Sequence, residues 1–106
     1  MEMDNVELVK RYLRAQNLEQ VGRMDDAIVH YEAAVEAGFD ASGPYDRLIT
    51  IYSNRALHDD VVRVVDAALT AVHTHPEKRA WYERMRTDAM EARRKVPRAA
   101  PKQRRE

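Results

Sequence analysis

Four histidines and two Asp-Asp pairs are the residues of this chain best suited to metal binding or acid–base chemistry. A zinc site needs ligands one helical turn apart or a cluster of four, often with cysteine. His73 and His75 are two residues apart, which directs them to different sides of a helix, and the chain has no cysteine. His58 precedes Asp59-Asp60, but a helix start explains that aspartate pair more simply. We therefore expect surface or packing histidines, with no metal and no cofactor.

Motifs of nucleophilic and phosphoryl-transfer catalysis are also missing from the sequence. It contains neither a glycine-rich phosphate loop nor the Gly-x-Ser-x-Gly elbow of hydrolases. Glu32, Glu36 and Asp66 fall at positions that a helical pattern directs outward, which favours a solvated surface over catalytic carboxylates. Aromatic residues at helical spacing indicate a core or a groove rather than a cofactor box: Tyr12, Tyr31, Tyr52, Trp81 and Tyr82. We predict that the protein is not an enzyme.

A basic C-terminal segment is the strongest charge feature. Residues 93–106 contain seven Lys and Arg and one Glu, a net charge of +6, whereas residues 1–92 contain 11 Lys and Arg and 17 Asp and Glu, a net charge of −6. Such a segment could attract nucleic acid or an acidic partner. No aromatic residue interleaves it, so base stacking is unsupported. The alternative is a solubilising tail that folds back on the acidic body. The cations of the basic segment are Arg93, Arg94, Lys95, Arg98, Lys102, Arg104 and Arg105.

The composition is that of one small domain with a tail. A chain of 106 residues predicts a single domain, which we place at residues 1–96, and residues 97–106 lack large apolar side chains and are expected to be disordered. No apolar run suits a membrane span, and residues 1–10 do not resemble a signal peptide. With no cysteine, these features favour a cytoplasmic protein. Arginine outnumbers lysine 14 to 4, which indicates a GC-rich, bacterial genome.

Glycines, prolines and capping residues divide the domain into five predicted helices. Asp4 or Asn5 can cap the first, Gly22 ends it, Gly38 ends the second, and Pro44 suits the first position of the third. Residues 61–65 would also suit a strand, but the apolar pattern continues at helical spacing beyond them. The sequence therefore predicts an all-α fold. The helices are expected at about residues 4–20, 25–37, 44–55, 59–74 and 77–95.

A displacement of 34 residues superposes two parts of the chain. It aligns Asp25-Asp26 with Asp59-Asp60 and Ala33-Ala34 with Ala67-Ala68, and Ala37 with Ala71. A period of this length is that of one helix-turn-helix unit in an α-solenoid. Such units stack and bind, and they carry no chemistry of their own. The sequence therefore predicts two stacked helical pairs followed by a fifth, capping helix, whose Trp81 and Met85 would dock on the layer of residues 61–69.

These repeats resemble the tetratricopeptide repeat family over roughly residues 8–75. Helix B of the first copy carries the alanine, aromatic and alanine of the motif as Ala27, Tyr31 and Ala34. Helix A of the second copy matches at three positions, which are Tyr45, Leu48 and Tyr52. The other two helices match less well, and the closing proline of the motif is missing from both copies. The resemblance implies a right-handed solenoid that acts as a non-catalytic protein-interaction module.

In the family, helix A lines a concave groove that holds a peptide or a helix of a partner. Carried over, this implies a "predicted groove" with a polar lining, formed by Tyr12, Gln16, Glu19 and Gln20 of the first copy and by Asp46, Arg47, Thr50, Ser53 and Asn54 of the second. Asp46 would repel a terminal carboxylate, so we expect a neutral or basic ligand segment. The alternative is that these residues are solvated positions on amphipathic helices.

Two repeats fall below the three that usually make a solenoid stable. The capping helix and the first helix supply the missing contacts, or the chain forms a homodimer through an uncovered face. A protein that contacts nucleic acid through its tail is the second functional hypothesis. A small regulator that folds fully only beside its partner is the third.

Overall fold

The computed structural model describes residues 4–95, and within them it contains the five predicted helices and no strand. The all-α prediction is therefore confirmed. Residues 61–65, which would also have suited a strand, are helical. Among the described residues, no helix combines the length and the apolar character that a membrane span needs. The helices are α1 (Asn5–Gln20), α2 (Met24–Glu36), α3 (Ser42–Asn54), α4 (His58–Ala71) and α5 (Arg79–Lys95), with a 3₁₀ turn at Pro76–Lys78.

Local signals explain where the first two helices begin and end. The Asp4 carboxylate accepts the backbone N–H of Glu7 at 2.9 Å, which caps α1. Gly38 follows α2 with a φ of +70°, in the left-handed region that glycine adopts without steric cost. Phe39 then donates its N–H to the Ala34 carbonyl at 3.1 Å. This bond closes the helix in the way that a C-terminal glycine allows.

A left-handed residue also follows α1 and α3. Gly22 has a φ of +84° and Ala56 a φ of +58°, and the two positions are 34 residues apart. In both turns the next residue donates its N–H to the carbonyl five positions earlier, with N···O distances of 2.8 and 2.9 Å. Alanine carries a steric cost of roughly 1–2 kcal/mol in this conformation, which glycine avoids. The two turns therefore have the same form, although only the first carries the favoured residue.

Three helix ends differ from the predicted bounds by two residues or more. α5 begins at Arg79 rather than at residue 77, because Pro76–Lys78 forms the 3₁₀ turn. α4 ends at Ala71 rather than at residue 74, because Val72 is extended and the backbone N–H groups of His73 and Thr74 donate to the Asp40 carboxylate at 2.7 and 3.3 Å. α3 begins at Ser42, so Pro44 lies within its first turn rather than at its first position. A proline is tolerated there because the first N–H groups of a helix have no partner within it.

Each helix packs against the next along the chain, and α2 also contacts α4. The interior is filled by large side chains of α2 to α5. α1 contributes Leu8 and Ala15 to the buried surface, whereas its second apolar stripe, which includes Val6 and Leu13, faces outward. The largest fully buried side chains are Tyr31, Tyr45, Tyr82, Leu48, Ile49, Val61, Val64, Val65 and Pro44.

The most buried large residue of α5 is not one of the two that the sequence suggested. Trp81 and Met85 pack against the core but are only partly buried, whereas Tyr82 is 2% exposed. Tyr82 also donates its hydroxyl to Asp46 of α3 at 2.9 Å. The apolar spacing of α5 identified the buried side of the helix to within one residue. Contact with α3 decided that the neighbouring tyrosine occupies its centre.

Candidate functional site

Three buried tyrosines each share a carboxylate with a cation, and each such group joins three elements of the structure. In the Glu19 triad, Tyr31 of α2 donates its hydroxyl to Glu19 of α1 at 2.7 Å. Arg47 of α3 donates its Nε to the same carboxylate at 3.1 Å and also forms an ion pair with it. A single carboxylate thus connects α1, α2 and α3. Charge-assisted bonds of this kind are stronger than those between neutral groups.

The Glu32 triad repeats the arrangement one helix further along. Glu32 of α2 accepts the Tyr52 hydroxyl of α3 and both terminal nitrogens of Arg63 of α4, at 3.0 and 2.7 Å. The sequence predicted a solvated, outward Glu32, and this was wrong, because its side chain is only 28% exposed. The pattern of one helix could not show that α3 and α4 place a hydroxyl and a guanidinium against it.

The Asp46 triad connects the C-terminal elements. Asp46 of α3 accepts the hydroxyl of Tyr82 in α5 and forms an ion pair with Lys78 of the 3₁₀ turn. The Lys78 ammonium also lies 5.3 Å from the centroid of the Trp81 ring, within the range of a cation–π contact. This triad holds the 3₁₀ turn and α5 against α3.

The protonation states of the triads follow from burial and from these bonds. Burial, together with a hydrogen bond to a carboxylate, raises the pKa of each triad tyrosine, so the hydroxyls remain donors. The Arg47 hydrogen bond holds the pKa of Glu19 below its ordinary value. Burial by itself would raise the pKa of Glu32, but the hydrogen bonds from Arg63 and Tyr52 bring it below its ordinary value. Both glutamates are charged at neutral pH.

This arrangement suits a structural purpose better than a catalytic one. A general base or nucleophile needs a pKa near the working pH and an open position for substrate. The triad tyrosines have their pKa values displaced upward and their hydroxyls directed at carboxylates within the fold. The triads therefore fix how neighbouring helices stack.

Four residues of the predicted groove meet in pairs. Glu19 and Arg47 form the ion pair described above, which joins α1 to α3. Gln16 donates its amide Nε2 to the Tyr12 hydroxyl at 3.1 Å, one helical turn apart on α1. Both pairs bond within the protein, so their polar groups are partly satisfied before any ligand arrives.

The remaining five residues of the predicted groove are differently placed. Asp46 bonds toward α5, away from the α1 side of α3. Thr50 and Ser53 are half-buried on α3, whereas Gln20 and Asn54 are exposed at the C-terminal ends of α1 and α3. No side-chain hydrogen bond within residues 4–95 involves these last four residues. They are therefore the predicted groove residues with side-chain donors and acceptors still available.

Tyr12 is held in a close fit over the start of α3. A Cβ atom added to Gly43 would lie 2.4 Å from the Cζ and the hydroxyl oxygen of Tyr12. The Tyr12 ring also lies 6.1 Å from the Tyr31 ring, centroid to centroid, in a tilted arrangement. The glycine thus leaves the space in which the aromatic ring of α1 contacts α3.

The expected repulsion of a ligand carboxylate by Asp46 requires a correction. Its carboxylate is paired with the Lys78 ammonium, which offsets the negative charge. Glu19 is likewise offset by Arg47. Counted together with Lys78, the charged side chains of the predicted groove sum to no net charge, and electrostatics alone does not oppose an anionic ligand there.

Two of the histidines contact charged side chains. Arg11 donates to His30 Nδ1 at 3.2 Å, and burial with the charges of Arg11 and Arg14 lowers the pKa of His30. His75 lies 3.1 Å from Glu77. Within the described part of the chain, no three His, Cys, Asp or Glu side chains cluster as metal ligands would.

The described part of the basic segment lies at the end of α5. Arg93 contacts Asp59 of α4 at 2.6 Å, and Arg94 contacts Glu91 at 2.6 Å. Lys95 is exposed. The other four cations fall outside the described residues, and they are Arg98, Lys102, Arg104 and Arg105.

One sequence signal could have identified part of the Glu32 triad. Glu32 accepts from Tyr52, and Asp66 accepts the Arg86 Nε at 2.7 Å, so both members of the second pair lie 34 residues after those of the first. The two donors are chemically unlike, a tyrosine hydroxyl and a guanidinium, and this difference concealed the relationship.

The chain was also compared with protein-family models, curated proteins and solved structures, and it matches none of them.

Proposed function

We propose that the helices form a tetratricopeptide-like right-handed solenoid, with α1–α2 and α3–α4 as two repeats and α5 as the cap. The support is a 34-residue period in backbone geometry. The left-handed turn residues Gly22 and Ala56 share that spacing, and so do Arg23 and Leu57, the residues before α2 and α4, whose φ and ψ agree within 10° (−98°, 68° and −91°, 72°). At positions 34 residues apart, the side-chain identities match less well than the backbone conformations of these turns.

The position of α5 supports its assignment as the cap. Tyr82 follows Leu48 by 34 residues, and both are buried, at 2% and 0% exposure. Tyr82 thus occupies the position in α5 that Leu48 occupies in α3. Its outer side carries Arg, Glu and Asp, as a terminal helix that meets water requires.

On this fold the protein acts as a non-catalytic interaction module that holds a segment of a protein partner in the predicted groove. One observation carries the proposal. The charged groups of the groove are engaged within the fold, whereas Thr50, Ser53 and Asn54 carry donors and acceptors free of side-chain bonds among residues 4–95. A neutral, polar segment suits such a lining best, since an ion would have to compete with the existing pairs.

This function is tested by selecting peptides that bind the full chain from a displayed random library and then measuring their affinities. The double variant Thr50→Arg, Ser53→Arg should weaken the selected peptides at least about tenfold, because two bulky cations would fill the lining. Thr70→Arg, at an exposed position of α4, is the matched control and should bind as the parent does. Equal binding by the double variant and the parent would contradict the proposal.

The basic segment would carry the alternative function, in which the protein contacts nucleic acid or an acidic partner. Two of its cations are already engaged in ion pairs at the end of α5, so no specific observation favours this alternative over the groove. Truncation after Val96 with salt-dependent nucleic-acid binding tests it. A homodimer, a cytoplasmic location and a bacterial source stay predictions of the sequence.

A further inference from the structure

The outer side of α1 is an apolar surface with no described residue packed over it. Val6, Leu13 and Val21 are 63%, 52% and 70% exposed. Spacings of seven and eight residues place these side chains on one side of a helix, two turns apart from each other. The opposite side of α1, which includes Leu8 and Ala15, is buried. α1 is therefore apolar on two sides, and only one of them is used within residues 4–95.

A shallow cleft of about 500 Å³ lies on this surface. Its apolar lining is Leu13, Leu18 and Val21, and Lys10, Arg14 and Asn17 complete it. Together with Val6 and Val9, these residues form the outer α1 surface. It combines an apolar stripe with two adjacent cations.

The two cations of the outer α1 surface differ from most of the other cations among residues 4–95. Neither Lys10 nor Arg14 takes part in any ion pair or side-chain hydrogen bond among residues 4–95, although eight arginines of α2 to α5 and their connections form ion pairs there. Like charges one helical turn apart destabilise a helix slightly. Residues 1–92 carry a net charge of −6, so this positive site is a local exception.

We infer that the outer α1 surface binds an acidic amphipathic helix of another protein. Apolar side chains of that helix would cover Val6, Leu13 and Val21, and its flanking carboxylates would pair with Lys10 and Arg14. This is a second interaction surface, beyond the predicted groove. Tyr12 and Leu13 are consecutive, so their side chains leave α1 about 100° apart.

A second copy of the chain fits this surface less well. A two-fold contact uses the same patch on both subunits. Pairing α1 with itself would therefore bring Lys10 and Arg14 of both copies together, and Glu7, which is exposed beside them on α1, would offset one of the two cations on each copy. The acidic pairs elsewhere on the chain are already occupied, since Asp25, Asp26, Asp59 and Asp60 each form an ion pair. Charge complementarity thus favours an acidic partner of a different sequence.

The probe for the test is a synthetic helical peptide with a leucine stripe flanked by glutamates, added to the isotope-labelled full chain. Amide chemical shifts should change along α1 at and around Val6, Leu13 and Val21. A scrambled peptide of the same composition, and one with lysine in place of glutamate, should bind at least about tenfold more weakly. Equal binding of either control peptide, or shift changes confined to α3, would overturn the inference.

Two variants assign the binding to side chains. Lys10→Glu with Arg14→Glu should weaken the acidic peptide at least about tenfold, because two attractions become repulsions. Arg84→Glu, an exposed position of α5 without an ion pair among residues 4–95, is the matched control and should change binding less than about twofold. Unchanged binding by the double variant would remove the charged part of the inference, and with it the acidic partner.

Leu13→Asn tests the apolar part and should weaken the same peptide about tenfold. The remaining explanation is that a second copy of the chain covers the surface. Sedimentation of the peptide-free chain at rising concentration tests it. Leu13→Asn is expected to leave the sedimentation of the chain unchanged at every concentration. Self-association that Leu13→Asn abolishes would show that a second copy covers the surface, and the inference would then be wrong.

Discussion

Glu19 and Arg47, which are 28 residues apart, form an ion pair that joins α1 to α3 while the same carboxylate accepts the hydroxyl of buried Tyr31. Both ion-pair partners were expected in a groove as ligand-binding residues. Their observed pairing assigns them to helix stacking first. Removing the carboxylate therefore affects a buried hydroxyl and a cation together.

We predict that Glu19→Ala lowers the free energy of unfolding by about 1–3 kcal/mol, mainly because the Tyr31 hydroxyl is left buried without a partner. In the Tyr31→Phe background the same change should cost much less. Chemical denaturation of the four chains measures the coupling. Equal costs in both backgrounds would show that the hydroxyl does not depend on Glu19.

Stability should fall in acid in a way that depends on Glu19. The Arg47 hydrogen bond lowers the pKa of this carboxyl from its ordinary value of 4.5, so the unfolded chain takes up the proton first as the pH falls. The stabilisation is fully present above about pH 4.5 and is lost as the pH falls through the lower pKa of the folded state. Unfolding curves of the parent and of Glu19→Gln between neutral pH and pH 3 should converge in acid. A constant difference over the whole range would contradict the assignment.

Ala56→Gly should stabilise the protein by about 0.5–1 kcal/mol. The residue has a φ of +58°, and glycine removes the Cβ strain at the cost of a more flexible unfolded chain. Ala80→Gly, at an exposed position in the first turn of α5, is the control and should destabilise by at most about 0.5–1 kcal/mol. Thermal melts of both variants compare the two signs directly. A loss of stability for Ala56→Gly would argue against the left-handed turn.

Gly43→Ala should reveal the contact with Tyr12. A Cβ at this position would lie 2.4 Å from the Tyr12 ring, so the ring must move before alanine can act as the better helix former. In a Tyr12→Ala background the alanine should stabilise by about 0.5–1 kcal/mol, whereas in the parent it should give no gain. A similar gain in both backgrounds, measured by urea unfolding, would show that the two residues do not interact.

Tyr82 should contribute more to stability than Trp81, although tryptophan is the larger residue. Tyr82→Ala removes a side chain that is 2% exposed and should cost about 3–5 kcal/mol. Trp81→Ala removes a partly buried ring and should cost about 1–2 kcal/mol. Urea unfolding of the two variants orders the costs, and the reverse order would restore the interpretation from sequence.

Much of the fold could be predicted from the sequence because helix formation and helix ends depend on near neighbours. Asp4 caps α1 through a residue three positions away, and Gly38 ends α2 within one turn. The left-handed Ala56 could have been inferred from Gly22, one period earlier. Its identity as alanine concealed it, since alanine usually indicates a helix interior.

The candidate site depended on contacts that no local pattern contains. The nine predicted groove residues were placed on the correct kind of element, but the sequence could not show that Glu19 meets Arg47 or that Asp46 meets Lys78. These partners are 28 and 32 residues apart, and they meet because of how neighbouring helices pack. The sequence also could not show that Glu32 is enclosed by α3 and α4.

The sequence by itself determined an all-α chain of five helices, because apolar periodicity and capping residues act over one or two turns. Only the tertiary structure decided which side of each helix is buried, as at Tyr82 rather than Trp81, and which of the two apolar sides of α1 is covered. The physical reason is that side-chain burial and ion pairing are properties of the contact between helices. A helix with two apolar sides satisfies the same local rules whichever one it buries.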